Sequence, residues 1–177
     1  MTAPFELTEG FAVRDATFAD LPEILKIYNS TIASREATAD LAPVGLEDRR
    51  AWFDEHNPER RPLWVLESTN PADSRLVGWL SFSDFHHRSA YRYTVELGIY
   101  LASDSRGHGY GSKLLQRAIQ FAPQIEAKTL VGLIFGHNVR SLSLFHSQGF
   151  ERWALLPRIA SMDGIERDLV IVGRQID

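Results

Sequence analysis

Residues 103–122 read SDSRGHGYGSKLLQRAIQFA, and this stretch decides the fold. Glycine occupies every second position from Gly107 to Gly111. A helical repeat begins at once, with apolar residues at Leu114, Leu115, Ala118, Ile119 and Ala122. A glycine-rich turn that leads into a helix presents unpaired backbone N–H groups at the positive end of the helix dipole. The stretch therefore predicts a phosphate-binding site, and the alternative is a flexible connection that ends in a helix cap.

The composition is that of an ordinary globular protein. The chain has 177 residues, of which 44% are hydrophobic and 24% charged, and we expect a single domain over residues 1–177. The net charge of −4 argues against a partner such as nucleic acid or an anionic membrane. The absence of cysteine excludes disulfides, thiolate metal sites and a cysteine nucleophile. Since no signal peptide or membrane-spanning pattern is recognisable, we expect a cytoplasmic protein.

Hydrophobic patterning predicts a mixed sheet with helices packed on it. Strands are predicted at 11–16, 62–68, 75–85, 93–102 and 129–136, and helices at 20–34, 46–56, from about 110, and at 138–150. Gly149 is expected to end the last helix in a left-handed conformation. Asp163 and Gly164 are expected to form the turn of a terminal hairpin. Strand pairs at both ends, with β-α-β-α between them, indicate a mixed α/β (α+β) fold.

Spacing excludes the two common phosphate-binding motifs. The Walker pattern, counted from Gly107, requires glycine at residue 112, which is Ser112. The dinucleotide pattern G-x-G-x-x-G fails at Ser112 or at Leu114, according to the glycine from which it is counted. Arg106-x-x-Gly109-x-Gly111 does fit a known pattern. It resembles the acyl-CoA-binding loop of the GNAT family of N-acetyltransferases, written [RQ]-x-x-G-x-[GA].

The resemblance extends over nearly the whole chain. NVRSLSLFHSQGF at 138–150 resembles a later segment of the family, in which Asn opens a helix and Gly-Phe closes it. The order and spacing of IYN (27–29), RPLWV (61–65), GW (78–79), RSAY (88–91) and TVELGIY (94–100) resemble the phosphinothricin acetyltransferase branch. That branch acetylates the α-amino group of small amino acids and their analogues. The resemblance implies about seven mostly antiparallel strands, about four helices, a V-shaped splay between the central strands, and a homodimer.

The resemblance also implies where acetyl-CoA binds as co-substrate. The pyrophosphate would lie on the N–H groups from Arg106 to Gly111, and the pantetheine arm would pair like an extra strand with Ile99–Leu101. The full set of residues expected at the cofactor is Ile99, Tyr100, Leu101, Arg106, Gly107, His108, Gly109, Tyr110, Gly111, Ser112, Asn138 and Ser141. Gly98 is either a bulge that splays the strand or a packing glycine.

Glu96 is the candidate catalytic base. It is a lone carboxylate among apolar residues on the strand that leads to the glycine loop, and TVE matches the phosphinothricin branch. Burial would raise its pKa toward a value useful for accepting the proton of an amine. An edge-strand Glu that faces water or pairs with Arg is the alternative. A backbone N–H of Leu97 or Gly98 would polarise the thioester carbonyl.

The proton donor for the CoA thiolate is not evident from the sequence. Family members carry Tyr or His seven residues after the Asn, and here that position is Phe145. His146 is one helical step, about 100°, away from it. His137 is a substitute. Otherwise a different group or water donates the proton, or the thiolate leaves unprotonated.

The substrate carboxylate requires a cation, and Arg88 is the first choice, with Tyr91 beside it and Thr38 on a substrate-side loop. A surface role is the alternative for Arg88. His86 and His87 are adjacent and no histidine has ligand spacing, so no metal is expected. The resulting hypothesis is acetyl transfer from acetyl-CoA to the α-amino group of a small, carboxylated amine. The alternatives are another acceptor (a polyamine, an antibiotic or a protein N-terminus) and a non-catalytic acyl-CoA-binding module.

Overall fold

The computed structural model describes residues 4–176, so both ends of the predicted 1–177 domain lie outside it. The strands are β1 (Phe5–Thr8), β2 (Phe11–Asp15), β3 (Leu63–Ser68), β4 (Leu76–Asp84), β5 (Thr94–Leu101), β6 (Thr129–Phe135), β7 (Glu151–Met162) and β8 (Ile165–Gln175). The α-helices are α1 (Leu21–Ile32), α2 (Leu46–Asp54), α3 (Tyr110–Phe121) and α4 (Val139–Ser147). Every predicted strand and helix is present, with ends shifted by a few residues.

The strands form one sheet in the order β1-β2-β3-β4-β5-β6-β8-β7. All neighbours are antiparallel except β5 and β6. The described sheet thus has eight strands where about seven were expected, because β1 was not predicted. A strand of four residues is too short to show a recognisable alternation of apolar and polar side chains. It pairs with β2 across a turn at Gly10, which has φ 78°.

The central strands diverge. β5 pairs with β4 along its whole length, whereas its pairing with β6 stops at the rung between Glu96 and Val131. Beyond that rung the remaining residues of β5 have no strand opposite them on the β6 side. This divergence is the V-shaped splay that was predicted, and it opens a cleft at the carboxyl end of β5.

No bulge causes the splay. The register between β4 and β5 runs unbroken through the pair Ser81 and Gly98. A Cβ on Gly98 would lie 2.8 Å from the Ser81 Oγ, so the structure favours the packing role for this glycine. The splay instead follows from the end of the pairing between β5 and β6.

The sheet separates two apolar layers. On one face α3 and α4 cover a large core around Trp64, Phe82 and Leu114. On the other face α1 and α2 cover a smaller core around Val65 and Trp79. Because side chains alternate along a strand, Leu97 joins the large core and Tyr100 packs on the smaller one. Glu96 and Gly98 share the face of Tyr100 and therefore lie beneath α1 and α2.

Both predicted glycine stops are confirmed. Gly149 has φ 78° directly after α4, which matches a left-handed helix end. Asp163 and Gly164 have φ 51° and 78° and join β7 to β8, as expected for a two-residue hairpin turn.

Candidate active site

The glycine loop has the geometry of an anion cradle. Gly107 and Gly109 have φ of 82° and 80°, a left-handed conformation that costs a residue with a Cβ roughly 1–2 kcal/mol. Gly109 is the N-cap of α3, and its carbonyl accepts from the Lys113 N–H at 3.1 Å. The N–H groups at the start of α3 before Lys113 have no carbonyl of the helix to bind. Gly111 packs near α4, where a Cβ would make ordinary contact with Leu144 at 3.4 Å.

A cleft of about 740 Å³ runs from this loop along β5 to the start of α4. It is lined by Thr31, Ser34, Glu36, Ala37, Ile99, Tyr100, Leu101, Ser103, Arg106, Gly107, Gly109, Tyr110, Gly111, Ser112, Asn138, Arg140, Ser141 and Leu144. Every residue that the sequence assigned to the cofactor is among them except His108. The exposed His108 ring instead stacks on Tyr110 with 5.7 Å between centroids. The structure therefore brings the two predicted parts of the cofactor site into one cleft.

The backbone of β5 contributes unequally to this cleft. The Ala102 N–H donates to the Val77 carbonyl of β4 at 2.9 Å. In an antiparallel pair, every second residue of a strand forms its backbone hydrogen bonds with the same neighbour. The backbone groups of Gly98 and Tyr100 therefore also point to β4. The expected main-chain role of Tyr100 and of the Gly98 N–H is therefore wrong. Ile99 and Leu101 face the splay instead, although the Leu101 carbonyl accepts from the Arg106 Nε at 3.2 Å. Tyr100 contributes its ring.

Asn138 and Ser141 are linked by a helix cap. The Asn138 Oδ1 accepts from the Ser141 N–H at 3.0 Å and so caps α4. The Asn138 Nδ2 donates to the Glu36 carbonyl at 3.1 Å. Asn138 is thus already engaged in holding residues 35–40, a segment named here the strap.

The strap crosses the splay and is tied to several elements. The His137 Nε2 lies 2.7 Å from the Arg35 carbonyl, and the Tyr100 hydroxyl donates to the Ala37 carbonyl at 3.1 Å. The Arg35 guanidinium pairs with Asp163 in the terminal turn at 2.8 Å. These contacts hold the strap over the place where the two sides of the V-shaped splay meet.

Beneath the strap, a cavity of about 510 Å³ continues from the cleft. The two share Glu36, Ala37, Ile99, Tyr100, Asn138 and Ser141. Glu96 lines the cavity, and within residues 4–176 its carboxylate makes no hydrogen bond or ion pair. Burial raises the pKa of Glu96 above the ordinary value for a carboxyl. A buried, unpaired carboxylate with a raised pKa, facing a cavity, is typical of a general base.

A smaller chamber of about 200 Å³ adjoins Glu96 under α1 and α2 and is named here the aromatic chamber. It is lined by Ile24, Leu25, Tyr28, Arg49, Trp52, Trp79, Ser81, Ser83, Glu96, Gly98 and Tyr100. The Trp79 ring stacks on Tyr100 at 4.4 Å and meets Trp52 edge-on at 5.7 Å. Among the described lining residues, Glu96 is thus the carboxylate that lines both the aromatic chamber and the cavity of 510 Å³.

Only one of the three expected substrate residues lies in these spaces. Thr38 lines the larger cavity, is 5% exposed, and hydrogen-bonds the Tyr28 hydroxyl. Arg88 and Tyr91 instead flank a short 3-10 turn between β4 and β5, where Tyr91 is exposed and packs against His86. Neither of them lines a cavity that Glu96 lines.

The sequence analysis missed several lining residues. Arg49 and Trp52 project from α2 into the aromatic chamber, and Arg140 from α4 lines the cofactor cleft. Tyr28, within IYN (27–29), was used only for the resemblance and was given no role in the site. A signal existed for Arg49, because it lies one helical turn before Trp52 in a short, mostly polar helix. The apolar core of the protein does not require an arginine at that position. Nothing in the sequence indicated which strand end that helix covers.

Neither histidine considered as proton donor lines the cleft or the Glu96 cavities. Phe145 lines the larger cavity and packs edge-on against Phe150. His146 and His137 line a separate hollow between α4 and the terminal hairpin. The rotation of one helical step therefore turns His146 away from the cavity as expected. Phe145 presents no dissociable proton.

In residues 4–176 no three or more His, Asp or Glu side chains are grouped so that they could hold a metal ion. None of the helices described here has the length and apolar character needed to cross a bilayer.

Comparison with known proteins agrees with this geometry. The acetyltransferase (GNAT) family model matches residues 23–150. The phosphinothricin acetyltransferase-like protein YwnH of Bacillus subtilis is 48% identical over 164 residues, which cover 93% of this chain and 98% of YwnH. The L-methionine sulfoximine/L-methionine sulfone acetyltransferase of Pseudomonas aeruginosa is 33% identical over 166 residues, 94% of this chain and 95% of that protein.

A solved structure gives the same result. The phosphinothricin acetyltransferase of Sinorhizobium meliloti, crystallised with acetyl-CoA, superposes with a TM-score of 0.86 at 26% identity, over 94% of this chain and 89% of that one. The family model spans most of this chain, and relatives match nearly all of it. The chain therefore belongs to the GNAT family of acetyltransferases and is related to the enzymes that acetylate phosphinothricin and methionine sulfoximine.

Proposed function

We propose that this protein transfers an acetyl group from acetyl-CoA to the α-amino group of a small amino acid or amino-acid analogue. The observation that carries the proposal is Glu96. It is a mostly buried and unpaired carboxylate, and it lines both the aromatic chamber and the cavity that shares lining residues with the cofactor cleft. An amine held in that chamber would therefore lie between a base and a thioester.

The cofactor part of the proposal rests on the cleft of 740 Å³. The α3 N-terminus and the left-handed glycines at 107 and 109 offer backbone N–H groups to a pyrophosphate. Arg106 and Arg140 add positive charge along the same cleft. The S. meliloti relative was crystallised with acetyl-CoA, and its likeness to this chain supports the same ligand here.

The proposed chemistry is direct attack within a ternary complex. The neutral amine attacks the carbonyl carbon of the thioester, a C–N bond forms, and the C–S bond then breaks to release the CoA thiolate. Glu96 takes the proton that the amine loses, directly or through water. The pairing of β5 with β6 ends at Glu96. Ile99 has the first backbone N–H beyond that point that faces the splay without a strand opposite it. We assign to this N–H the polarisation of the thioester carbonyl oxygen.

The thiolate receives no proton from the position of Phe145. In this proposal water donates the proton, or the thiolate leaves as the anion. The Tyr100 hydroxyl is a poor donor, because burial raises its pKa and it already donates to the Ala37 carbonyl.

The proposal includes a single catalytic domain over residues 1–177, a cytoplasmic location and a homodimer. The support for a dimer is apolar exposure at the edge strand β7, where Trp153 is 45% and Ile159 58% exposed. Light scattering on the purified protein would measure a mass near 40 kDa for the dimer, since one chain has 20.0 kDa.

The central test follows release of free CoA thiol with a panel of amines. We expect turnover with methionine sulfone, methionine sulfoximine or phosphinothricin, and about 10²–10⁴-fold lower kcat in Glu96→Gln. Because the base must be ionised, kcat/KM should fall as the pH drops through the raised pKa of Glu96. Exposed Glu151→Gln is the matched control and should behave as the wild type. Tight CoA binding without turnover of any amine would contradict the proposed function and leave an acyl-CoA-binding module.

A further inference from the structure

The spaces around Glu96 contain a single cationic side chain among the described lining residues, that of Arg49. It lines both the larger cavity and the aromatic chamber, as Glu96 does. The two side chains therefore line the same two spaces and carry opposite charge. An acceptor that carries both an ammonium and a carboxylate would match this pair.

The guanidinium of Arg49 is held in position by three neighbours. Its Cζ lies 4.7 Å from the centre of the Tyr28 ring and 5.6 Å from that of Trp52. Its Nη2 forms an ion pair with Asp40 at 2.9 Å. Stacking on aromatic rings fixes the plane of an arginine and lowers the entropy that ligand binding would otherwise cost.

Part of the guanidinium is left available. The Asp40 pair uses only Nη2, and among residues 4–176 no hydrogen bond engages the Nε or Nη1 of Arg49. Nη2 carries two N–H donors and Asp40 takes one of them. The other Nη2 N–H can therefore form paired hydrogen bonds with a carboxylate, together with the neighbouring Nε or Nη1. Asp40, in turn, also accepts from the Tyr28 hydroxyl at 2.5 Å, so it belongs to the frame that holds Arg49.

The aromatic chamber limits the rest of the acceptor. Its volume of about 200 Å³ and its Trp52 and Trp79 walls suit a short, polarisable side chain. A long polyamine would leave Arg49 facing a second cation, which is unfavourable in an enclosed space. A protein N-terminus has an amide where a free amino acid has its carboxylate.

We propose that Arg49 binds the α-carboxylate of the acceptor and so restricts the enzyme to free amino acids. This inference rests on the proposed function and names a residue that selects the substrate. Arg49 takes the role that the sequence assigned to Arg88. In this arrangement the ammonium faces Glu96, the carboxylate faces Arg49 and the side chain enters the aromatic chamber.

The experiment compares L-methionine sulfone, its carboxamide and spermidine as acceptors. The wild type should favour the acid over the carboxamide by about 10- to 100-fold in kcat/KM, the usual size of a charged hydrogen-bonded contact. In Arg49→Gln this preference should shrink to within about threefold, and Arg49→Lys should retain part of it. Because both acceptors are compared on the same variant, partial loss of folded protein cancels in the ratio.

Arg50→Gln is the matched control, since Arg50 is the next residue of α2 and is exposed with its guanidinium near Phe18. It should keep the wild-type preference. A preference that survives in Arg49→Gln would overturn the inference, and so would a wild type that favours spermidine or the carboxamide. A wild type that acetylates none of the three and no other amine would instead contradict the proposed function itself.

Discussion

Glu96 shows how a single residue can be suited to function at the expense of stability. Its carboxylate is mostly buried and has no partner within the described residues, and its pKa is raised for that reason alone. Gly98, two residues further on the same face of β5, leaves space between Glu96 and Tyr100. A larger residue there would meet Ser81. The strand thus provides a base and the room for an amine beside it.

Glu96→Gln is therefore expected to stabilise the protein at neutral pH. Since the folded-state pKa lies above the unfolded one, the folded protein binds more protons between them, and stability falls as the pH rises through the folded-state pKa. The Tm of Glu96→Gln should exceed that of the wild type at pH 7. The difference should vanish below about pH 4, where the carboxyl is protonated in both states. Equal Tm values at pH 7 would mean that the carboxylate is paired or hydrated.

Glu96 could be identified from sequence because one charge within a long apolar strand is conspicuous. The arginine proposed for the acceptor carboxylate could not be identified in the same way. Arg88 and Arg49 both lie in polar segments that hold further positive charges, and only the packing of α2 over β4 and β5 distinguishes them. Distances between groups that are far apart in sequence are not encoded in local patterns.

At the scale of elements, the glycine loop works through backbone conformation. Gly107 and Gly109 take a left-handed φ, and a Cβ at either position would meet no atom within 4 Å. The requirement for glycine is therefore conformational at both positions. Gly111 has no left-handed φ, and a Cβ there would make ordinary contact with Leu144 at 3.4 Å. Of the three alternating glycines, two therefore meet a conformational demand.

Gly109→Ala should weaken CoA binding by about tenfold or more, because the strain of roughly 1–2 kcal/mol is relieved by moving the N–H groups of the cradle. Calorimetry with CoA measures this effect. Gly164→Ala is a close control, since Gly164 has φ 78° and equally open surroundings in the terminal turn. Gly164→Ala should lower Tm but leave the Kd for CoA unchanged. If both variants bind CoA like the wild type, the loop does not hold the pyrophosphate.

The strap was expected to be a substrate-side loop with Thr38 on it, but the sequence did not reveal its contacts. Its carbonyls accept hydrogen bonds from Tyr100 and Asn138, and its Thr38 bonds to Tyr28. The expectation of a loop at Thr38 is correct for local conformation. A loop that binds through main-chain carbonyls has no side-chain signature, so its position over the splay could be seen only in three dimensions.

At the scale of the whole molecule, the splay joins the two halves of the site. β5 is held by β4 on one side and by β6 only as far as Glu96. The cofactor cleft opens between the separated strands, and the aromatic chamber lies on the α1–α2 face. Glu96 is the last paired residue of β5 on that side, which explains why the proposed base lies where the two spaces adjoin.

Binding of acetyl-CoA should stabilise the entire domain. When the acetyl-CoA concentration is 100 times the Kd, binding adds about 2.7 kcal/mol to the free energy of unfolding. For a chain of this size, that corresponds to a rise in Tm of about 5–11 °C. Differential scanning fluorimetry measures the shift. Glu96→Gln should show the full shift and Gly109→Ala a reduced one. The same small shift in all three proteins would argue against a cofactor site in this cleft.

The sequence alone was sufficient for the family, for every element except β1, and for naming the glycine loop and Glu96 as candidates, because each depends on local pattern or on spacing along the chain. The tertiary structure decided the rest. In the structure, the backbone of Tyr100 points to β4, and Arg88 and Tyr91 lie outside the cavities that Glu96 lines. Arg49 lines the same cavities as Glu96. The physical reason is that a recognition site is a set of distances between elements. Those distances are set by how α2 and the strap pack on the splayed sheet.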